Sequence, residues 1–520
     1  MMWMVPRDKR GAARSRHWTL LLQTLTSPMK LSCALLALAL SLVSATPRDG
    51  IRRGDEFPFV HVPLAHADDY TSGKVHMMMM DAMTAVVDEI RADVVRATGI
   101  FDPTLGIPPI AEYTPCIDGY AGSGNNTYKC NNLDLYSFTP HGDLGSTVKV
   151  GNDIWGWAHT GDDGRTREFG LVGQEDGTAF VEVLSTGQIA YLGRLPTQTE
   201  SSIWRDIKVI GHHAYIGSEA LGHGIQVFDL LKLLDPSLLK NPKEFSIETD
   251  LTAHYDGLPV GSSHNVVSHA DKNLIVAVGA LPRLHVCGAG LIFVDVADPE
   301  NPVTVGCAGE DGYVHDAQCL TYYGPDAAYN GSDVCYSFNE DTFTIYNITD
   351  PSSPSIISAT FYHGVSYSHQ GWVMDEKDQS YLLMNDELDE MFQRGWATDQ
   401  KTTTFIWDIK DLSKPVLTGH YKSPEVAIDH NLYVKDGLVY ESNYRSGLRV
   451  VDASSVAEDP TGAGFYEAAF FDVHPEDDAI GGEAIFGGVW STYPYFESGY
   501  ILANTLERGL FVLKLNMTTA

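Results

Sequence analysis

Leu291-Ile292-Phe293-Val294-Asp295-Val296-Ala297-Asp298-Pro299 is a short apolar run that ends in an Asp-Pro turn, and the chain replays it. The closest copies are Phe343-Thr344-Ile345-Tyr346-Asn347-Ile348-Thr349-Asp350-Pro351 and Phe405-Ile406-Trp407-Asp408-Ile409. Runs this short, rich in Val, Ile and Phe and bounded by turn residues, read as strands. Looser copies are Phe180-Val181-Glu182-Val183, Ile225-Gln226-Val227-Phe228-Asp229 and Leu448-Arg449-Val450-Val451-Asp452; Gly509-Leu510-Phe511-Val512-Leu513-Lys514 makes seven. Self-similarity at roughly 50–60 residues marks a repeat architecture, and about four short strands per copy mark a radial one. A parallel α/β sheet needs helical crossovers of about a dozen residues, and only residues 230–239 offer such a segment. The expectation is an all-β, seven-bladed β-propeller over residues 113–516, with a tail at 517–520. The seventh copy stops on its third strand, whereas residues 133–138 form a strand with no blade of their own. That N-terminal strand is predicted to pair with the last one and close the ring, covering an otherwise bare edge.

Length does not demand several domains, because repeat units pack only on their neighbours. Of the 520 residues, 44% are hydrophobic and 10% aromatic, enough for a substantial core. The formal charge of -33 excludes a nucleic-acid partner and an anionic membrane surface, since both require a basic face. Cations or basic groups fit it better, though acidity also simply keeps a protein soluble. An apolar run at residues 31–43, followed by Val43-Ser44-Ala45, reads as a signal peptide with an N-terminal extension over residues 1–45. The run is too short for a membrane span, and no anchor follows, so a secreted, extracellular protein is expected. Six cysteines remain after it, and proximity within a unit favours the pairs Cys116–Cys130, Cys287–Cys307 and Cys319–Cys335. Asn125, Asn330, Asn347 and Asn516 are glycosylation acceptors. Residues 46–112 form a non-repeat segment whose one helix, predicted over residues 74–99, mixes apolar and charged positions and reads as a cap packed on the main body.

Aligning the copies places Trp155, Trp204, His264, His315, His369, His430 and Trp490 at the head of the first strand of each. First strands line the channel of a propeller, so four histidines are expected to converge there. Arg205, Asp206, Asp316 and Asp429 accompany them, and the second strand returns Glu175, Glu219, Glu340, Asp386, Glu387 and Asn443 to the same mouth. Neutral imidazoles with carboxylates suit a transition metal; carboxylates alone suit calcium. The candidate metal ligands are therefore His264, His315, His369, His430, Asp316 and Asp429. The competing reading is that buried polar residues, repeated in each unit, pin blade to blade. No nucleophile elbow, zinc-protease motif or dinucleotide fingerprint occurs, and no catalytic residue is assigned. Asp386 and Glu387, adjacent on a strand, point to opposite faces, and read as a solvated turn rather than a glycosidase pair.

Several stretches carry a resemblance. They are Cys116-Ile117-Asp118-Gly119-Tyr120, Asp153-Ile154-Trp155-Gly156-Trp157, Trp204-Arg205-Asp206-Ile207-Lys208-Val209 and His223-Gly224-Ile225-Gln226-Val227-Phe228-Asp229. Further on are His315-Asp316-Ala317-Gln318-Cys319, His369-Gln370-Gly371-Trp372, Asn385-Asp386-Glu387-Leu388-Asp389-Glu390 and Ile428-Asp429-His430-Asn431-Leu432-Tyr433. In their order and spacing the chain resembles the choice-of-anchor B family, secreted or surface-attached propellers built from LVIVD-type repeats. The resemblance implies a propeller displayed outside the cell and carries over no catalytic residue.

The functional expectation is a secreted binding or scaffold module with a His/Asp/Glu-lined channel mouth that fits a divalent metal or a polar ligand. Its partner would be an extracellular protein, a glycan or a small polar molecule. The alternative is a metal-dependent extracellular hydrolase in which an Asp or Glu near the histidines activates water.

Overall fold

Apolar runs of five or six residues separated by Gly, Asp and Asn turns can satisfy their backbone groups only by pairing with their neighbours in sequence. The computed structural model describes residues 67–98, 107–124 and 126–517, all within one compact unit. The proposed signal peptide and Asn125 lie outside the described residues. Among those residues, seven sheets follow one another along the chain, antiparallel throughout except where the short strand Lys243–Glu244 pairs parallel with Ile189–Pro196. Their innermost strands are Gly151–Thr160, Arg205–Ile210, Asn265–His269, Asp316–Thr321, Ser368–Val373, Leu432–Lys435 and Val489–Tyr493, heading blades I to VII. Each innermost strand touches the next, and that of blade VII returns to blade I. The sheets therefore form a seven-bladed β-propeller, as the repeat predicts.

Blade V shows why the repeated strands read as continuous apolar runs. Leu382, Met384, Phe405 and Trp407 face blade IV and meet Phe343 and Ile345. Leu383 and Ile406, one residue out of step, face blade VI and meet Leu432, Val434 and Val439. Alternation sends successive side chains to opposite faces, and here both faces are covered. Full burial of each side chain contributes about 1.5–3 kcal/mol, so the blade interfaces hold the ring together.

Strand Leu133–Pro140 pairs antiparallel with Gly509–Leu515 and completes blade VII, closing the circle as expected. Phe138 and Phe511 meet across this join, 4.5 Å apart between ring centroids and tilted at 37°. A second device was not legible in the repeat. The hairpin Tyr120–Ser123 and Asn126–Asn131 adds to the outer edge of blade VI through Cys130 opposite Phe471. The incoming chain thus spans blades VI and VII. All three expected disulfides form: Cys116–Cys130, Cys287–Cys307 and Cys319–Cys335. Among the glycosylation acceptors, Asn330 and Asn516 are exposed and Asn347 is half-buried.

The predicted helix runs Lys74–Thr98. Its apolar positions Val75, Met79, Ala82, Met83, Val86 and Val87 recur at helical spacing on one face. That face packs on Ile203, Trp204, Tyr367, Leu388, Ile428, Tyr444, Phe486 and Trp490, which stand at one end of the ring. No described helix is long and apolar enough to cross a membrane.

Candidate functional site: a histidine arc beneath the N-terminal helix

The four histidines meet. Ring centroids are 4.2 Å apart for His264 and His315, 4.1 Å for His315 and His369, and 4.5 Å for His369 and His430. His430 in turn lies 5.1 Å from the Trp490 ring. The arc is not an open mouth, because the helix covers it and none of the four histidines is more than 5% exposed. The helix also contributes a ligand-type residue that the repeat could not reveal. His76 projects from the same apolar face, 5.5 Å from the His264 ring, with Nδ1 2.7 Å from the Tyr367 hydroxyl.

The second-strand acids do return to this end, and most of them hold the roof. Glu175 pairs with Arg91 of the helix. Glu219 lies 2.6 Å from His264 Nδ1 and 3.7 Å from His76 Nε2. Glu340 receives both arms of Arg283, at 2.9 and 2.6 Å, and the same guanidinium donates to the Tyr70 carbonyl just before the helix. Glu387 accepts from the Tyr444 hydroxyl at 2.7 Å and lies 3.5 Å from His369 Nε2 and 3.7 Å from His430 Nε2. Asp386 and Glu387 point to opposite faces as expected, but neither is in a solvated turn. Both are buried, because the end of this strand lies under the helix platform. Asp386 accepts from Tyr362 Oη and from the backbone N–H groups of Ser366, Tyr367 and Leu388. Asn443 turns into the blade interface and donates to Thr402 and Glu441.

Four expected members sit elsewhere. Asp153 accepts from the Ile207 N–H of the next blade, and Asp206 accepts likewise from Val266. These two positions are therefore equivalent, and the residues matching His264 are Asn152 in blade I and Arg205 in blade II. A bulge between Gly151 and Ile154 displaces Trp155 from the register the repeat suggests. Trp155 lies further along the channel, against Tyr433, Tyr493 and the ammonium of Lys208. Arg205 turns away from the arc to Thr197, His223 and the Gln174 carbonyl. Asp206 pairs with Lys208 at 2.7 Å, with Asp153 3.6 Å from the same ammonium. Asp316 belongs to this layer as well: after burial, the charges of Asp206 and Lys208 act on it most. Trp204 and Trp490 pack against the helix. Gln370, one position beyond His369, accepts from Leu432 of the following blade, and Gln318, three beyond His315, accepts from Val373, so the pinning role anticipated for repeated polar residues falls beyond the histidines rather than on them.

Electrostatics keep the imidazoles of His315, His369 and His430 neutral. Burial, then the neighbouring histidines, hold His315 and His369 well below the ordinary range, and burial brings His430 down to about 3. Nδ1 of His315 donates to the His369 carbonyl at 3.0 Å, and Nδ1 of His430 donates to the Trp490 carbonyl. Because a carbonyl can only accept, the Nε2 lone pair of each ring is free to bind a cation. Ligand-type atoms of His315, His369 and Glu387 lie within 4.8 Å of one another, as do those of His76, Glu219 and His264. Burial pushes Glu387 up to about 8, and its Oε2 has no hydrogen-bond donor. Asp429 does not join the histidines; it groups with Asp389 and Glu390.

No protein-family model matches the chain, and no curated protein matches it. The β-propeller domain of Cps50 (Swd1) from Myceliophteria thermophila is similar at 12% identity and a TM-score of 0.40, over 70% of this chain and all of that one. The computationally designed protein Ika8 is similar at 12% identity and a TM-score of 0.40, over 77% of this chain and 96% of its own. The fold defined by the sheets is that of a β-propeller, and the histidine arc is one of the places where ligand-type side chains gather on it.

Proposed function

We propose that this protein is an extracellular binding or scaffold propeller of the choice-of-anchor B type whose hub holds a divalent transition metal. His315, His369 and Glu387 would be the ligands. The observation that carries the reading is the buried Oε2 of Glu387, which has no donor and lies 3.5 Å from His369 Nε2. Two ligands at 2.0–2.1 Å from one tetrahedral ion stand about 3.4 Å apart. The His315 Nδ1–H bond to a backbone carbonyl is the outer support such a ligand uses. Three disulfides and exposed glycosylation acceptors support an oxidising, extracellular setting.

The roof favours a structural or binding role over hydrolysis, since a hydrolytic metal keeps a position open to water and substrate, whereas the helix covers this one. The test is elemental analysis of the full chain purified without chelator. One zinc or other transition metal per chain is expected, falling to background in His369→Ala and Glu387→Gln. A folded wild-type protein with no stoichiometric metal would return the arc to blade pinning. Hydrolysis of model esters by the metal-loaded protein would instead establish the alternative.

A further inference from the structure

A separate group of buried acids lies between blades V and VI. Asp389 and Glu390 open the single helical turn Asp389–Phe392 after the second strand of blade V, and Asp429 precedes the innermost strand of blade VI. All three are buried: Asp389 is 1%, Glu390 0% and Asp429 2% exposed. One oxygen from each lies within 4.8 Å of the others. Glu390 Oε1 accepts from the Thr403 N–H at 3.0 Å, which fixes the side chain and leaves Oε2 without a donor. Neither oxygen of Asp429, and neither of Asp389, meets a donor with hydrogen-bond geometry. Buried carboxylate oxygens are almost always paired, and here five in one place are not.

The charges around them make matters worse. After burial, those acting most strongly on Asp429 come from Asp389, Glu441, Asp386 and Glu387, all acidic. Such a cluster must be neutralised, either by protons or by a cation.

We infer that Asp389, Glu390 and Asp429 form a calcium site that joins blades V and VI. The donor set is oxygen alone, which selects a hard cation over zinc or copper. Two oxygens on one calcium, each at 2.3–2.6 Å, stand at most about 5 Å apart, and the observed spread satisfies that limit. The three carboxylates offer five undonated oxygens, which water or a backbone carbonyl would bring to the 6–8 that calcium takes. Ile428 and Leu388, next to Asp429 and Asp389, pack under Met79 and Met83 of the helix. Calcium here would therefore fix the platform on which the helix sits. The site shares no ligand with the metal proposed at His315, His369 and Glu387 and does not depend on it.

The test is thermal unfolding and calorimetric titration of the full chain, stripped with EGTA and then returned to calcium chloride. Wild type is expected to bind one calcium at sub-millimolar concentration, as extracellular calcium modules do, with a rise in melting temperature. His315→Ala, which removes a ligand of the other metal, should keep that rise. Glu390→Gln and Asp429→Asn should lose it or weaken binding by at least about tenfold, while their calcium-free forms melt at or above stripped wild type, because each removes a buried like charge. Asp389→Asn serves if either variant fails to fold. The inference is overturned if stripped wild type shows no calcium response, which would mean that protons neutralise the cluster. It is equally overturned if the response survives in the carboxamide variants.

Discussion

Adjacent residues on one strand end here do unlike work. Asp386 turns one way to gather three donors from the loop that carries Tyr362, Ser366 and Tyr367 and a fourth from the Leu388 N–H; Glu387 turns the other way to the histidines. Removing Asp386 leaves those buried donors unpaired, at about 1–3 kcal/mol for each group that stays unsatisfied. Asp386→Ala is expected to lower stability by at least about 3 kcal/mol in urea titration, far more than Glu175→Ala, which breaks only a partly exposed ion pair to Arg91. The convergence of His264, His315, His369 and His430 is legible in the sequence because each occupies one register of an independent copy. The place of Trp155 is not, because a bulge in blade I shifts the strand against its neighbours, and a bulge leaves no compositional mark. Nor is the separation of Arg205 and Asp316 from the histidines, because periodicity gives the position along a strand but not which way a side chain leaves it.

The helix Lys74–Thr98 is the element that turns a channel mouth into an enclosed site. Its amphipathic pattern was plain in Val75, Met79, Met83 and Val87, but what it covers was not, since a helix outside the repeat has no register with it. His76 was the available clue: a histidine on the apolar face of a cap predicted to sit on a polar mouth. Met79 and Met83 are 2% and 1% exposed, and truncating a buried methionine costs about 2–5 kcal/mol. Met79→Asp with Met83→Asp should therefore release the roof while leaving the seven-bladed ring folded. The expected result is faster modification of His264, His315, His369 and His430 by diethyl pyrocarbonate, with the far-ultraviolet β signal unchanged. Unchanged reactivity would mean that the blades, not the helix, bury the arc.

At the scale of the whole molecule, the ring holds because its two ends share blade VII, with the hairpin before it on blade VI. Phe138 and Phe511 sit on opposite sides of that join, so each alanine replacement should destabilise by about 3–5 kcal/mol and the double variant by clearly less than the sum. Acid should weaken the same join. Burial, against a hydrogen bond to the Thr505 carbonyl, brings His141 from the ordinary 6.5 down to about 4. Below pH 6.5 the unfolded chain takes up a proton that the folded ring refuses, so this stability is complete above pH 6.5 and is lost as pH falls toward 4. The loss amounts to about 3 kcal/mol, and His141→Gln should flatten that part of the stability profile. The claim on which the functional reading rests is that blades IV and V together with the roofing helix enclose a metal. Anomalous scattering from crystals of the full chain, recorded across the transition-metal edges, tests it most directly. A single peak bonded to His315 Nε2, His369 and Glu387 is expected; an arc of histidines with no peak among them would contradict it.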